Sequence, residues 1–308
     1  MKPIVISMPG NEAMAAELVQ RLDGECGAAT VRRFPDGESY VRVESALEGR
    51  HAVIVCTLDQ PDDKLVPLLL LASAARDSGA RSVGLVAPYL AYMRQDTRFH
   101  PGETISAQHV AAWISSRFDW LVTVDPHLHR INELSQVYTI PAFAVHAADN
   151  LAQWLRTHVR QPLLIGPDEE SMQWVEQVAG SADAPFVVLR KTRRGDRDVQ
   201  VSVPDVERWR SHTPVLVDDI VSTGRTMIET VVHLRRAGLA APVCLAVHAV
   251  FAQTAFDDLR AAGSADIASC DTIAHPSNRI RLGASLAAAV LPLLKHAGQR
   301  TSLAFPSL

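Results

Sequence analysis

The chain has 308 residues, 47% of them hydrophobic and 21% charged, enough for one large or two ordinary domains, which excludes a disordered or fibrous chain. Thirty basic residues against 34 acidic leave a formal net charge of -4, so no global basic field exists to hold a nucleic-acid backbone, and none is expected as a partner. The four cysteines, Cys26, Cys56, Cys244 and Cys270, are scattered without a CxxC pair, which argues against a zinc ribbon, a redox dithiol or a disulfide framework and fits a reducing, cytoplasmic compartment.

The chain opens MKPIVISMPG, where the apolar run before Pro9 and Gly10 is too short for a signal-peptide core. From there, short β-branched runs (IVIS, HAVIVC, SVGLVA, WLVTV, PLLIG, PFVVL, PVLVDD, VCLAVHAVF) alternate with Ala/Leu/Arg-rich stretches of helical period. That alternation predicts an α/β fold of parallel layers. The charge-free stretch between Arg236 and Asp257 is interrupted by Gly238, Pro242, His248 and Gln253, so no membrane span is expected.

Two halves overlay at an offset of about 160 residues. IVISMPGNEAM from Ile4 parallels LLIGPDEESM ending at Met172, HAVIVCTLDQ from His51 parallels HTPVLVDDIV from His212, and the glycine after the next helix recurs as Gly79 and Gly238. Each reads as strand, turn and helix, with glycine at the helix exit. The boundary is expected near Asp149, giving domains 1–148 and 149–308, with the last helix free to pack back on the first. The halves differ where an open α/β sheet binds ligands, at the carboxyl ends of its strands: TLDQPDD follows Cys56, whereas the equivalent place in the second half reads DDIVSTGRT.

Six segments could carry chemistry. In RRFPDGESYVRV, residues 32–43, Phe34, Asp36 and Glu38 surround a Pro-Asp-Gly turn; such a hairpin can stack on a purine and accept from its exocyclic amine, although a solvated turn explains the same residues. In APYLAYMRQDTRF, residues 87–99, Arg94 and Arg98 beside Gln95 and Asp96 can bind phosphates in bidentate fashion or form exposed ion pairs. In WLVTVDPHLHR, residues 120–130, Asp125, His127 and His129 would face one pocket if the extended chain continued through Pro126; with no cysteine near, a structural zinc site is not expected.

LLIGPDEESMQWV, residues 163–175, places Pro167 and Asp168 at a strand end, followed by Glu169, Glu170 and Ser171. VVLRKTRRGDRDVQV, residues 187–201, sets Lys191, Arg193, Arg194 and Arg197 between two strands, as a solvated hairpin or as a cationic hairpin that closes over a polyphosphate. VLVDDIVSTGRTM, residues 215–227, is the most specific. An apolar strand ends in Asp218 and Asp219, then Ser222, Thr223, Gly224 and Thr226 make a polar turn before a helix. Backbone N–H groups at such a turn bind anions and paired carboxylates accept from vicinal hydroxyls, so a sugar phosphate satisfies both; ordinary N-capping asks for less than this order of residues.

These segments, in this order from Phe34 to CDTIAHPS near Asp271, resemble the ribose-phosphate diphosphokinases. The resemblance implies two tandem related domains of phosphoribosyltransferase type, each with a mostly parallel central sheet flanked by helices. It implies transfer of the diphosphoryl group of Mg-ATP to O1 of ribose 5-phosphate, and a homo-oligomer. Under it, Asp218 and Asp219 hold the ribose hydroxyls and Ser222, Thr223, Gly224, Arg225 and Thr226 the 5-phosphate; Phe34, Asp36 and Glu38 grip the adenine; Arg94, Gln95, Asp96 and His127 contact ATP. Lys191 and Arg193 form the catalytic loop, and His127 and Asp168 approach the Mg2+.

Two departures stand out: Arg225 replaces a small residue, so its guanidinium either pairs with the phosphate or points to solvent, and Glu169 to Ser171 replace a small-residue turn, adding negative charge beside a pyrophosphate. A phosphoribosyltransferase would share the loop at Asp218 but leave RFPDGE and RQD unexplained. A non-catalytic regulatory homologue would have lost catalytic residues, whereas Lys191, Arg193 and the acidic pair are present.

Overall fold

The computed structural model describes residues 1–128, 130–167, 171–193, 199–202 and 206–296. The chain divides into two compact units, Met1–Val145 with Gly283–Leu308, and His146–Leu282.

In the first unit, β1 (Ile4–Ser7), α1 (Glu12–Arg21), β2 (Glu25–Gly27), an antiparallel hairpin of β3 (Ala29–Arg33) and β4 (Ser39–Val43), β5 (His51–Val55), α2 (Pro61–Asp77), β6 (Ser82–Ala87), α3 (Ser106–Arg117), β7 (Trp120–Val124) and β8 (Ala142–Val145) follow one another. Its six-stranded parallel sheet has the order β2-β1-β5-β6-β7-β8.

The second unit runs through α4 (Ala148–His158), β9 (Pro162–Gly166), α5 (Met172–Ala182), β10 (Phe186–Val188), an antiparallel hairpin of β11 (Arg190–Arg193) and β12 (Val199–Ser202), β13 (Thr213–Val221), α6 (Arg225–Arg236), β14 (Val243–Ala249), α7 (Ala255–Ala261), β15 (Asp266–Cys270) and β16 (Asn278–Ile280). Its sheet order, β10-β9-β13-β14-β15-β16, repeats the first, again all parallel and again with a hairpin between the second and third sheet strands. The last helix, α8 (Gly283–His296), groups with the first unit.

The repeat extends to the helix ends. Gly79 and Gly238 both have positive φ, and each helix exit closes with the same pair of bonds: Gly79 N–H to Arg76 O with Ala80 N–H to Ala75 O, and Gly238 N–H to Arg235 O with Leu239 N–H to Leu234 O. Glycine stands there because this closure needs a left-handed residue.

Parallel strands covered on both faces read as unbroken apolar runs, which is why HAVIV, SVGLVA and WLVTV carry no alternation. Helix α2 starts at Pro61 and buries Leu65, Leu68, Leu71, Ala72 and Ala75. Pro67, nearly two turns in, has no N–H to give to the Asp63 carbonyl. Arg33 supplies the missing donor, reaching that oxygen at 3.3 Å and the Asp63 carboxylate at 2.8 Å, and so ties the hairpin to the helix.

Gly84 in β6 lies under Trp120 of β7, where a Cβ would come within 1.9 Å of the indole. Gly84→Ala is therefore expected to destabilise the protein by about 1 to 3 kcal/mol through forced movement of a buried ring, read as a lower urea midpoint at constant m.

Candidate active site

With the first strand of each sheet between the second and third, the topological switch point falls between β1 and β5 in one unit and between β9 and β13 in the other, and ligands bind beyond the carboxyl ends there. The two copies treat that place differently. After β5, the Thr57 N–H donates to Asn11 Oδ1 at 2.7 Å, and Lys64 Nζ donates to the Thr57 carbonyl at 3.1 Å while pairing with Asp59. The first turn of α2 carries Asp62 and Asp63, whose negative charge at the positive end of the helix disfavours a further anion there.

After β13 the chain instead presents Ser222, Thr223 and Gly224, and the first turn of α6 has no acidic residue. Gly224 is the N-cap with φ 66, a left-handed conformation that lets the strand turn directly into the helix. The N–H groups of that first turn have no partner within the helix, so an anion is favoured here and not at α2.

Asp218 and Asp219 are half-buried on the last part of β13. Each accepts a backbone N–H on its Oδ1, Asp218 from Asp219 at 3.0 Å and Asp219 from Ile220 at 2.8 Å, which fixes the carboxylate orientation at the strand end. The turn is braced from the loop after β14: Phe251 N–H donates to the Val221 carbonyl at 2.8 Å and Ala252 N–H to that of Ser222 at 3.0 Å. The Phe251 ring packs against Phe256 and His275, with centroids 5.3 and 4.7 Å away, and burial lowers the His275 pKa, keeping the imidazole neutral among aromatics. This brace was not among the sequence expectations, although His275 lies inside the CDTIAHPS segment.

In the first unit, Phe34 sits at the tip of the β3–β4 hairpin, 39% exposed. The turn closes by Phe34 N–H to Glu38 O at 2.7 Å and Gly37 N–H to Phe34 O at 2.9 Å, with Gly37 at φ 95 and Asp36 Oδ1 accepting the Glu38 N–H at 3.1 Å. On the outer face the Arg32 guanidinium stands 4.6 Å from the Phe34 ring centroid and 4.2 Å from that of Tyr40, so a cation and two aromatics form one rack. Asp36 and Glu38 are exposed beside it.

The loops after β6 and β7 each contain a left-handed residue that is not glycine, Tyr92 at φ 64 and Asp125 at φ 30. Strain of this kind collects at functional sites. Tyr92 is held by a hydrogen bond from its hydroxyl to Asp62, which pushes its pKa up to about 12. Asp125 turns the chain out of the strand, so the alternation expected of Asp125, His127 and His129 does not continue beyond Val124.

Arg94 is exposed, Gln95 Nε2 donates to Thr97 O and to Glu103, and Arg98 Nε donates to Glu103 O at 3.0 Å. Glu103 organises this loop: N–H groups of Phe99 and His100 on its carboxylate lower its pKa. Asp96 is joined to Arg130 of the other loop, and His127 is half-buried. Lys191 and Arg193 stand two apart along β11. Their side chains lie outside the described residues, as do His129, Asp168, Glu169, Glu170, Arg194 and Arg197.

Two equal sheets, each with a hairpin after its second strand, and an acidic pair followed by a small polar turn at one switch point define a duplicated α/β chain of phosphoribosyltransferase type. Residues 3–117 match the family described as the N-terminal domain of ribose phosphate pyrophosphokinase, and residues 133–273 match the phosphoribosyl transferase domain. A ribose-phosphate pyrophosphokinase of Methanopyrus kandleri is 34% identical over 93% of this chain and 98% of its own. One from Halobacterium salinarum is 33% identical over 88% and 94%. The phosphoribosylpyrophosphate synthetase of Mycobacterium smegmatis, 22% identical, shares the fold with a TM-score of 0.82 over 97% of this chain and 99% of that one. The chain belongs to the ribose-phosphate pyrophosphokinase family, a family of enzymes.

Proposed function

We propose that the chain transfers the β,γ-diphosphoryl group of ATP to O1 of ribose 5-phosphate, forming 5-phosphoribosyl 1-diphosphate and AMP. The observation that carries this reading is the contrast at the two switch points: a helix start without carboxylates behind Asp218 and Asp219 in one, a first turn that carries Asp62 and Asp63 in the other.

In this reading the turn from Ser222 to Thr226 holds the 5-phosphate, and Asp218 and Asp219 accept from the ribose hydroxyls. Phe34, Asp36 and Glu38 hold the adenine; Arg94, Gln95 and His127 contact the rest of the nucleotide. The O1 oxygen then attacks the β-phosphorus in line, losing its proton as AMP departs. Lys191 and Arg193 neutralise charge as it develops, and positioning supplies most of the remaining acceleration.

Mg2+, bound with the ATP phosphates, would supply further charge neutralisation. The residues assigned to it, an imidazole and a carboxylate, suit an ion that arrives this way, since Mg2+ bound with a nucleotide needs only one or two protein ligands. His127 and Asp168 are assigned to approach it. We also read the protein as a homo-oligomer of the cytoplasm; the homo-oligomer rests on the family likeness, and the four free cysteines fit a reducing compartment.

Incubation with Mg-ATP and ribose 5-phosphate tests the reading: AMP is expected in step with phosphoribosyl diphosphate. Formation of ADP, or diphosphate release only when a nucleobase and phosphoribosyl diphosphate are supplied, would replace it with another reaction.

Arg225 is exposed at the first residue of α6, beside the proposed phosphate turn. Arg225→Gly is expected to weaken ribose 5-phosphate by about 1 to 3 kcal/mol and to leave ribose itself unaffected, the range of a charge-assisted hydrogen bond. Calorimetry at two salt concentrations checks it; unchanged affinity with unchanged salt dependence means that the guanidinium points to solvent.

A further inference from the structure

We infer that Asp96 and Arg130 are positioning residues, a clamp that holds the loop after β6 and the loop after β7 in one arrangement for ATP, Arg130 acting through Asp96 and not on the nucleotide. The inference rests on the proposed function, in which both loops contact ATP, and it takes Asp96 out of the set of nucleotide ligands.

The Asp96 carboxylate is nearly buried, with 3% of its side chain exposed, although it sits in a loop of mostly accessible residues. Both of its oxygens are engaged across the gap between the loops: Oδ2 accepts the Arg130 backbone N–H at 3.1 Å and Oδ1 accepts Arg130 Nη1 at 3.1 Å. One residue thus takes a main-chain and a side-chain bond from the same partner, 34 positions away, which fixes orientation as well as distance. With one protein bond on each oxygen and 3% of the side chain exposed, this carboxylate offers little surface to a substrate.

Arg130 is bound on a second side, its guanidinium 5.5 Å from the Phe99 ring centroid, so it spans the loop after β6 at two points. On the near side of the same loop, Tyr92 is tied to Asp62 of α2. Arg94 and Gln95 lie between these two anchors and His127 lies three residues before Arg130. Residues assigned to ATP are therefore bracketed by bonds that make no use of ATP. The pair is too exposed on the Arg130 side, at 59%, to be explained by stability alone, since ion pairs with an exposed member contribute little to folding. For positioning the same geometry matters greatly, because a displacement of about 1 Å in a substrate-holding group costs up to about 100-fold.

The test is calorimetry of Mg-ATP and of ribose 5-phosphate, each alone, on the full chain, with steady-state kinetics alongside. Arg130→Met is expected to weaken Mg-ATP about tenfold while leaving ribose 5-phosphate within about twofold, Asp96→Asn to do the same, and the double variant to be no worse than the worse single one, as for partners in one interaction. Arg130→Lys should recover part of the loss. Arg130 is exposed, so its substitution leaves the core intact if Asp96→Asn folds poorly. A loss of Mg-ATP affinity below about threefold in Arg130→Met, equal losses for both ligands, or losses that multiply in the double variant would overturn the clamp. A wild-type protein that binds Mg-ATP but forms no AMP would instead overturn the proposed reaction, and the binding comparison would still decide the clamp.

Discussion

Lys191→Ala and Arg193→Ala are each expected to lower kcat by about 100-fold or more, with smaller changes in either KM. The reason lies in where charge appears. As O1 attacks the β-phosphorus, charge spreads over the equatorial phosphoryl oxygens and builds on the AMP leaving oxygen, and there is little covalent chemistry for a side chain to perform. Fixed cations at that place act on the transition state more than on bound ATP, so their removal appears in turnover and not in affinity.

Both residues fall on β11, in the hairpin that stands after the second sheet strand of the second unit. The first unit has its FPDGE hairpin at the same place in the fold, so one structural device carries an aromatic and acidic tip in one copy and a cationic run in the other. Initial rates over a matrix of ATP and ribose 5-phosphate concentrations separate kcat from the two KM values. Near wild-type turnover in both variants would reduce the run to a solvated hairpin.

How far the sequence could be read depended on what each residue had to satisfy locally. Strands buried on both faces, such as SVGLVA and WLVTV, announce themselves because nearly every position must be apolar, Ser82 and Thr123 being the buried exceptions. The strands β2, β8, β15 and β16, three to five residues each, were not expected: ECG and NRI are too short and too polar to show a period, and their place comes from pairing with a strand already laid down. Gly79 and Gly238 were legible as helix exits because the left-handed closure restricts the residue type. The turn from Ser222 to Thr226, proposed for ribose 5-phosphate, stood out in the sequence for a similar reason, since strand, acidic pair and small polar residues leave few other uses.

What the sequence hid was everything made by long-range pairing of ordinary residues. Arg130 ends a segment that had been read for its histidines, and only the fold brings it to Asp96. Phe251 braces the Ser222 turn and His275 packs on Phe251, each from a separate loop, with no spacing rule to announce them. The left-handed Asp125 also could not be foreseen, because an aspartate before proline fits an extended chain equally well.

Asp218→Asn and Asp219→Asn are expected to weaken ribose 5-phosphate by about 10- to 100-fold each while changing Mg-ATP much less, the range for losing a hydrogen bond to a charged group. Asparagine is the informative replacement here. The Oδ1 of each aspartate accepts a neighbouring backbone N–H, at 3.0 Å for Asp218 and 2.8 Å for Asp219, and an asparagine oxygen can keep that bond, so the strand end and the turn behind it should be retained. What changes is the second oxygen, which becomes an NH2 group facing a hydroxyl that wants an acceptor, and the charge that strengthened the contact. The loss should therefore follow the sugar hydroxyls and not the phosphate, so ribose 5-phosphate and its 2-deoxy analogue should differ less in the variants than in the wild type. Calorimetry with Mg-ATP, ribose 5-phosphate and the deoxy analogue resolves the three cases: a loss confined to ribose 5-phosphate supports the sugar assignment, equal losses for both substrates move these carboxylates to a shared metal, and no loss for either places the sugar elsewhere.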